Sequence, residues 1–170
     1  MTDTRERDTT KEIRTAVEKF FKRSGIKYKK FDNENVASAT YSVDTRFGHA
    51  TIFFHAYNDR LILHTIIPIK ANEEERPKVA EFILRANYGL KVGGFDFDFE
   101  DGEISYRMSL YFGIEEFKPP THEQIDFAII CSLVMVEKYG DALVKVMFGL
   151  VEPVDAIEDA EDDEEEEDEL

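Results

Sequence analysis

The sequence predicts an α+β domain in which a five-stranded antiparallel sheet is flanked by helices, in the order α-β-β-β-α-β-β-α. Three observations lead to this prediction. Alternating apolar and polar residues mark short strands, short turns join most of those strands, and apolar residues at helical spacing mark three longer segments. Because strands joined by short turns run antiparallel, the helices are expected to pack on the sheet and not to cross between parallel strands.

The three helices have recognisable starts. Thr9 and Glu12 have the spacing of a capping box, which predicts the start of the first helix. Pro77 is well suited to the first turn of the second helix. Thr121 and Gln124 have capping-box spacing ahead of the third and longest helix.

A strand of alternating residues is expected over 37–43, and a hairpin follows from residues 49–57 and 60–68 with Asn58-Asp59 as its turn. Since side chains alternate across a strand, this turn divides the hairpin into two faces. One face is apolar and belongs to the core, with Ile52, Phe54, Ala56, Leu61 and Leu63. The other is mixed and unusually aromatic, with Phe53, His55, Tyr57, Arg60, Ile62 and His64.

The segment from residues 94 to 108 predicts a second hairpin, because alternating Phe and acidic residues lead to Asp101-Gly102, a preferred turn pair. With that turn, Phe97 lies opposite Tyr106 and Phe95 opposite Met108. The acidic side chains then form the solvent side of a strand. A calcium-binding loop is disfavoured, because the segment lacks the glycine and glutamate positions of an EF-hand.

Charge divides the chain into body and tail. The net charge is −16, yet the residues from Glu152 onward contain 13 acids and neither Lys nor Arg. We therefore expect a flexible N-terminus over 1–10, a folded domain over 11–150, and an acidic, largely disordered tail over 151–170, with one short helix possible over 153–160. A body without a strong basic stripe and a polyanionic tail disfavour nucleic-acid binding.

The sequence contains no recognisable catalytic, cofactor-binding or metal-binding motif, so the chain is predicted not to be an enzyme. His55 and His64 are diagonal neighbours in the first hairpin, but no third ligand alternates into their patch. The single cysteine, Cys131, is expected to be buried and inert, and excludes an internal disulfide. No apolar run reaches the roughly 20 residues of a membrane span, and a cytoplasmic protein is expected.

The mixed face of the first hairpin is the candidate site, with Phe53, His55, Tyr57, Ile62 and His64 as candidate protein-binding residues. An exposed apolar patch is typical of a dimer or partner interface. Two alternatives remain open here. A helix, a loop or the 26–31 segment covers this face, or a small-molecule pocket forms near Tyr41, His55 and Tyr106.

Residues 77–107, which read PKVAEFILRANYGLKVGGFDFDFEDGEISYR, resemble the YbjN family of bacterial domains. The likeness consists of a helix ending near an Asn, a glycine break, and an acidic hairpin that returns through Tyr-Arg. The resemblance implies the type III secretion chaperone-like fold, in small domains that are often homodimeric and bind extended segments of other proteins. Some members carry a sensory-transduction-regulator label, and the family pattern has no catalytic residues to carry over.

Together these observations predict a non-enzymatic protein-binding domain, chaperone-like or regulatory, that acts through its sheet face or sheet edge. A homodimer without cofactors is expected, and the sequence does not identify the protein partner. The alternative is a small-molecule-sensing regulatory domain.

Overall fold

A computed structural model describes residues 8–113 and 115–162. Within these residues the chain forms a five-stranded antiparallel sheet and four helices, which confirms the predicted α+β class. The strand order is β1-β2-β3-β5-β4. The elements are α1 (Thr10–Ser24), β1 (Val36–Ser42), β2 (His49–Ala56), β3 (Arg60–Ile66), α2 (Arg76–Gly89), β4 (Gly94–Phe97), β5 (Ile104–Tyr111), α3 (His122–Met147) and α4 (Pro153–Asp162).

The helices pack on one side of the sheet, where alternate strand residues form the core. At one end, α1 and the first half of α3 pack on β1, β2 and β3 around Phe21, Phe54 and Leu63. At the other end, α2, α4 and the second half of α3 enclose Phe82 and Tyr106. The long helix α3 therefore joins two core clusters into one domain.

The structure confirms two of the predicted helix starts and corrects the third. Thr121 and Gln124 form the capping box of α3, and Pro77 lies in the first turn of α2. Thr9 makes no side-chain cap. Its backbone N–H and its hydroxyl donate instead to the side-chain oxygen of Asn58, at 2.9 and 3.1 Å. The predicted capping box at Thr9 is wrong because this hydroxyl ties the start of α1 to the β2–β3 turn.

The second hairpin forms, but its predicted register is wrong by two residues. Phe95 lies opposite Tyr106, and Phe97 lies opposite Ile104. A shift of two residues leaves every side chain on its expected face. The turn is longer than two residues because it docks on another part of the chain, where Ala71 N–H donates to the Gly102 carbonyl at 2.9 Å.

The folded body extends beyond residue 150, where the sequence analysis placed its end. Helix α4 buries Pro153, Ala156, Ile157 and Ala160 against α2 and α3. The Tyr139 hydroxyl donates to Glu161 at 3.1 Å, which fixes the last turn of α4 on α3. The expected disorder of the acidic run concerns residues 163–170, which lie outside the described residues, as do residues 1–7 of the expected flexible N-terminus.

Candidate functional site: the exposed sheet face

The side of the sheet opposite the helices carries a central group of side chains from β2 and β3. We call it the exposed sheet face and define it by Phe53, His55, Ile62, His64 and Ile66. The register places Phe53 opposite His64 and His55 opposite Ile62, as the Asn58-Asp59 turn predicts. All five side chains are half-buried, because neighbours on the same face shield one another. None belongs to either core cluster.

The described part of the chain does not supply a cover for this face. The 26–31 segment, one of the covers considered from the sequence, packs on the core side, where Phe31 is buried and Tyr28 stacks on Phe21 with ring centroids 4.5 Å apart. The helices contribute to the two core clusters on that same side. Within residues 8–113 and 115–162, three large apolar side chains of the face therefore remain uncovered, namely Phe53, Ile62 and Ile66.

Four of the five candidate residues lie together at the centre of the face, and Tyr57 lies at its rim. Tyr57 follows β2, its N–H donates to the Arg60 carbonyl at 2.9 Å, and its side chain is 48% exposed. Arg60 is in turn opposite Tyr111 of β5, which is 68% exposed. The rim therefore combines two tyrosines with one arginine.

Sequence reasoning missed two residues of this surface, Ile66 and Tyr111. Ile66 continues the alternation of β3 by one step beyond His64. Tyr111 continues the alternation of β5 from Arg107 through Ser109. Both positions follow from the same period-two rule that identified the other members, so extending each strand to its end would have included them.

The two histidines form a close pair within the face. Their ring centroids are 5.0 Å apart. Burial lowers the pKa of His55, and the neighbouring His64 lowers it further, while Asp32 opposes the shift. Burial also lowers the pKa of His64, and the charge of Arg107 lowers it further. The negative charges of Asp96 and Glu103 act in the opposite direction. Near pH 7 both rings are therefore largely neutral, and the centre of the face carries little charge.

This pair predicts a decrease in stability at mildly acidic pH. Because both pKa values are lower in the folded chain than in the unfolded chain, the unfolded state binds more protons as the pH falls through about 6.5. The free energy of unfolding should therefore decrease from pH 7 to pH 5. Urea unfolding followed by circular dichroism should show a smaller decrease in the free energy of unfolding for His55→Gln/His64→Gln than for the wild type. An equal decrease in the free energy of unfolding for the wild type and for the double variant would contradict this account.

The two edges of the sheet differ. At the β4 edge, the Asn87 side chain bonds both the N–H and the carbonyl of Phe95, at 2.7 and 2.8 Å, and so occupies the place of a further strand. At the β1 edge, Ser38 exchanges two backbone bonds with Lys29. Thr40 and Ser42 lie farther along this edge, and no other described segment pairs with their peptide groups. The second half of β1 is therefore the edge that remains open to an added strand.

The geometry does not support the pocket considered from the sequence. Tyr106 lies in the core with its hydroxyl bonded to the Val92 carbonyl. Tyr41 packs against the core cluster that contains Phe21 of α1, whereas His55 lies on the opposite side of the sheet. The structure therefore does not bring the three residues together around one cavity.

The described residues also show few features of a catalytic or metal-binding site. They contain no group of three or more His, Cys, Asp or Glu side chains placed to hold a metal ion. Cys131 is partly exposed and not fully buried as expected, and burial raises its pKa, which keeps the thiol protonated. In the acidic hairpin, Asp98 and Asp101 accept bonds from the backbone N–H groups of Glu100 and Glu103, so they shape the turn. None of the described helices is long and apolar enough to span a membrane.

The fold is shared with solved structures of low sequence identity. A chain from the crystal structure of the ExsC-ExsE complex matches with a TM-score of 0.51 at 17% identity, covering 78% of this chain and 93% of that one. YbjN from E. coli matches with a TM-score of 0.51 at 12% identity, covering 73% of this chain and 85% of that one. The chain thus shares the open-faced α+β fold of these two structures, which is the type III secretion chaperone-like fold that the resemblance in the sequence implied.

The chain belongs to the YbjN family. The family model, described as "Putative bacterial sensory transduction regulator", matches residues 14–145 and confirms the resemblance noted in the sequence. The matched stretch runs from α1 into the last turn of α3 and ends before α4. No curated protein matches the chain.

Proposed function

We propose that the chain is a non-enzymatic, chaperone-like or regulatory domain that binds a segment of another protein on its exposed sheet face. One observation carries the proposal: Phe53, Ile62 and Ile66 form an apolar patch that no described part of the chain covers. Burying such a patch against a partner is favourable by about 25 cal/mol per Å² of apolar surface. Family membership supports a regulatory domain, and the fold is shared with a chain of a two-protein complex.

The open β1 edge and the apolar patch on the exposed sheet face together favour an extended segment as the bound form of the partner. A strand added beside Thr40 and Ser42 would satisfy the open β1 edge through backbone bonds. The segment could then continue across the face, where Phe53 and Ile62 would contact its apolar side chains. Backbone pairing would supply affinity with little dependence on sequence, and the apolar contacts would supply the preference for particular side chains.

The proposal predicts that Phe53→Ser/Ile62→Ser loses bound partners. We expect binding to weaken at least tenfold, since a truncated central contact costs about 1–2 kcal/mol or more. The wild-type chain and the variant should each be immobilised, exposed to extract of the source cells, and compared by quantitative mass spectrometry. Leu84→Ser, which changes an apolar residue that is 72% exposed on α2, is the matched control.

Proteins retained by the wild type and by Leu84→Ser, but lost from Phe53→Ser/Ile62→Ser, are the expected result. Circular dichroism should show that both variants remain folded, because the changed side chains lie outside the core clusters. An identical set of retained proteins for all three chains would reject the exposed sheet face as the binding surface.

A further inference from the structure

A groove lies between α1 and the segment that leads into α3. Residues between Lys11 and Arg23 of α1 form one wall, and Pro119, Pro120 and His122 form the other. The cavity between the two walls measures about 540 Å³. This volume lies within the range of roughly 300–1,000 Å³ that is typical of small-molecule sites. We call this cavity the α1 groove.

The bottom of the α1 groove is apolar. Phe20 is 3% exposed, and its ring centroid lies 4.6 Å from that of His122 on the opposite wall. Ala16 lies one turn before Phe20, and its single methyl group takes up little of the space. Pro120 is buried and adds a rigid apolar surface. This lining suits a flat aromatic group, which makes contact through its faces.

The α1 wall of the groove is positively charged. Its residues Lys11, Thr15, Lys19 and Arg23 recur at every fourth position, which puts them on one side of the helix. Among the residues that the structure describes, no acidic side chain forms an ion pair with Lys11, Lys19 or Arg23. The lining also includes one acid, Glu12, so its Lys, Arg and Glu side chains leave an excess of two positive charges.

This positive wall contrasts with the acidic character of the chain, whose net charge is −16. Arg85 of α2, for example, pairs with Glu81 on the preceding turn. The helix dipole favours a cation in the last turn of α1, which accounts for Arg23 but not for Lys11 or Lys19. Because like charges four residues apart repel on a helix, Lys19 and Arg23 destabilise each other. An anion bound between the two side chains would remove this repulsion.

We propose that the α1 groove binds a small organic phosphate, namely a phosphate monoester of an aromatic alcohol. The phosphate group would lie between Lys19 and Arg23, where the guanidinium can bond two phosphate oxygens and the ammonium adds a further positive charge. The aromatic body would extend across Ala16 and Phe20 towards Pro120. A phosphate monoester carries a charge of about −1.5 to −2 at pH 7, which balances the excess positive charge of the lining.

The charge of the whole chain restricts the ligand to a small molecule. A chain with a net charge of −16 repels a long polyanion, and three cations in one groove are too few to offset that repulsion. A nucleic acid or an acidic protein segment is therefore disfavoured. A single phosphate group interacts mainly with the cations nearest to it, because solution ions screen the more distant acids.

The α1 groove is independent of the proposed partner site. It lies among the helices, whereas the exposed sheet face lies on the other side of the sheet. It also differs from the pocket considered from the sequence, because Tyr41, His55 and Tyr106 do not line it. Failure of this proposal would therefore leave the proposed function unaffected, and the reverse also holds.

Isothermal titration calorimetry of the full chain with 1-naphthyl phosphate tests the proposal. We expect saturable binding of one molecule per chain, and weaker binding when NaCl is added, because salt screens the attraction. Inorganic phosphate lacks the aromatic body and 1-naphthol lacks the charge. Each should bind about tenfold more weakly or worse, because each makes only one of the two kinds of contact.

Lys19→Ala/Arg23→Ala should weaken the binding of 1-naphthyl phosphate about tenfold or more, because the charge-assisted bonds to the phosphate are lost. Lys22→Ala/Lys27→Ala is the matched control. It makes the same change in net charge at two exposed residues that do not line the groove, and it should keep the wild-type affinity. Ala16→Glu should abolish binding, because its carboxylate would occupy the bottom of the groove. Circular dichroism should show that all three variants are folded.

The absence of saturable binding of 1-naphthyl phosphate to the wild type would overturn the proposal. So would an equal affinity for inorganic phosphate, or undiminished binding to Ala16→Glu. An equal loss of affinity in the two double variants would also overturn it, because attraction to the chain as a whole would then account for the binding.

Discussion

Removing residues 151–170 should destabilise the chain strongly, whereas removing residues 163–170 should leave its stability nearly unchanged. The first truncation deletes α4, whose Ile157 and small apolar residues are buried against α2 and α3. Its loss would expose the apolar surfaces of α2 and α3 that α4 covers, and would remove the bond from the Tyr139 hydroxyl to Glu161. We expect a loss of at least about 3 kcal/mol in the free energy of unfolding, because full burial of one side chain of the size of Ile157 already contributes about 1.5–3 kcal/mol.

Equilibrium urea unfolding followed by far-ultraviolet circular dichroism measures both truncations against the full chain. The shorter truncation is the matched control, because it removes seven acidic residues but leaves α4 intact. Equal stability of the chain ending at residue 150 would show that α4 is not part of the folded body. It also follows that an experiment on the acidic run should end the chain after Asp162, because an earlier end would cut into a helix of the core.

Gly102→Ala is the single substitution that should disturb the second hairpin most. Gly102 has φ +79°, and a Cβ added there would collide with the carbonyl oxygen of Ala71. The left-handed conformation alone costs a residue with a side chain about 1–2 kcal/mol. Because the obstructing atom belongs to the backbone, the turn must move away from Ala71, and the Ala71 N–H to Gly102 bond is lost. The total loss should reach about 3 kcal/mol or more.

Gly48→Ala is the matched control, because Gly48 has φ +71° but an added Cβ would meet nothing within 4 Å. It should show the conformational cost alone, about 1–2 kcal/mol. Urea unfolding of the two variants separates strain from collision. Equal losses in both would mean that the hairpin turn does not dock tightly on Ala71.

Local patterns in the sequence were sufficient for the first hairpin. The alternation of apolar residues around Asn58-Asp59 predicted its register, its core face and the members of the mixed face. For the second hairpin, local sequence patterns predicted the strands and their faces but not the register. Its register depends on Ala71, which binds Gly102, and on Arg76, which donates to the carbonyls of Phe99 and Glu100. These partners lie more than 20 residues away in the sequence. The preference of Asp-Gly for a two-residue turn takes no account of such distant contacts.

Two further differences between the sequence-based expectation and the structure arise from the composition of the segments. In α4 the short helix expected over 153–160 forms, and its buried residues run from Pro153 through Ala156 and Ile157 to Ala160. Because acidic residues surround them, the sequence analysis assigned this segment to the tail and not to the folded body. In α3 the apolar positions surround much of the helix, so the exposed Phe127 could not be distinguished from buried residues. Whether a second layer covers an apolar sheet face depends on how the helices are placed, which alternation within a strand does not specify.

The most direct test of the central claim, that the exposed sheet face binds another protein, is photocrosslinking in the source cells. The photoreactive amino acid p-benzoylphenylalanine should replace Phe53 in one chain and Tyr88 in another. Both positions are aromatic, but Tyr88 lies on α2, is 96% exposed and does not belong to the proposed site. We predict a discrete crosslinked product with another protein from position 53 and none from position 88. No product from position 53, or the same products from both positions, would contradict the account.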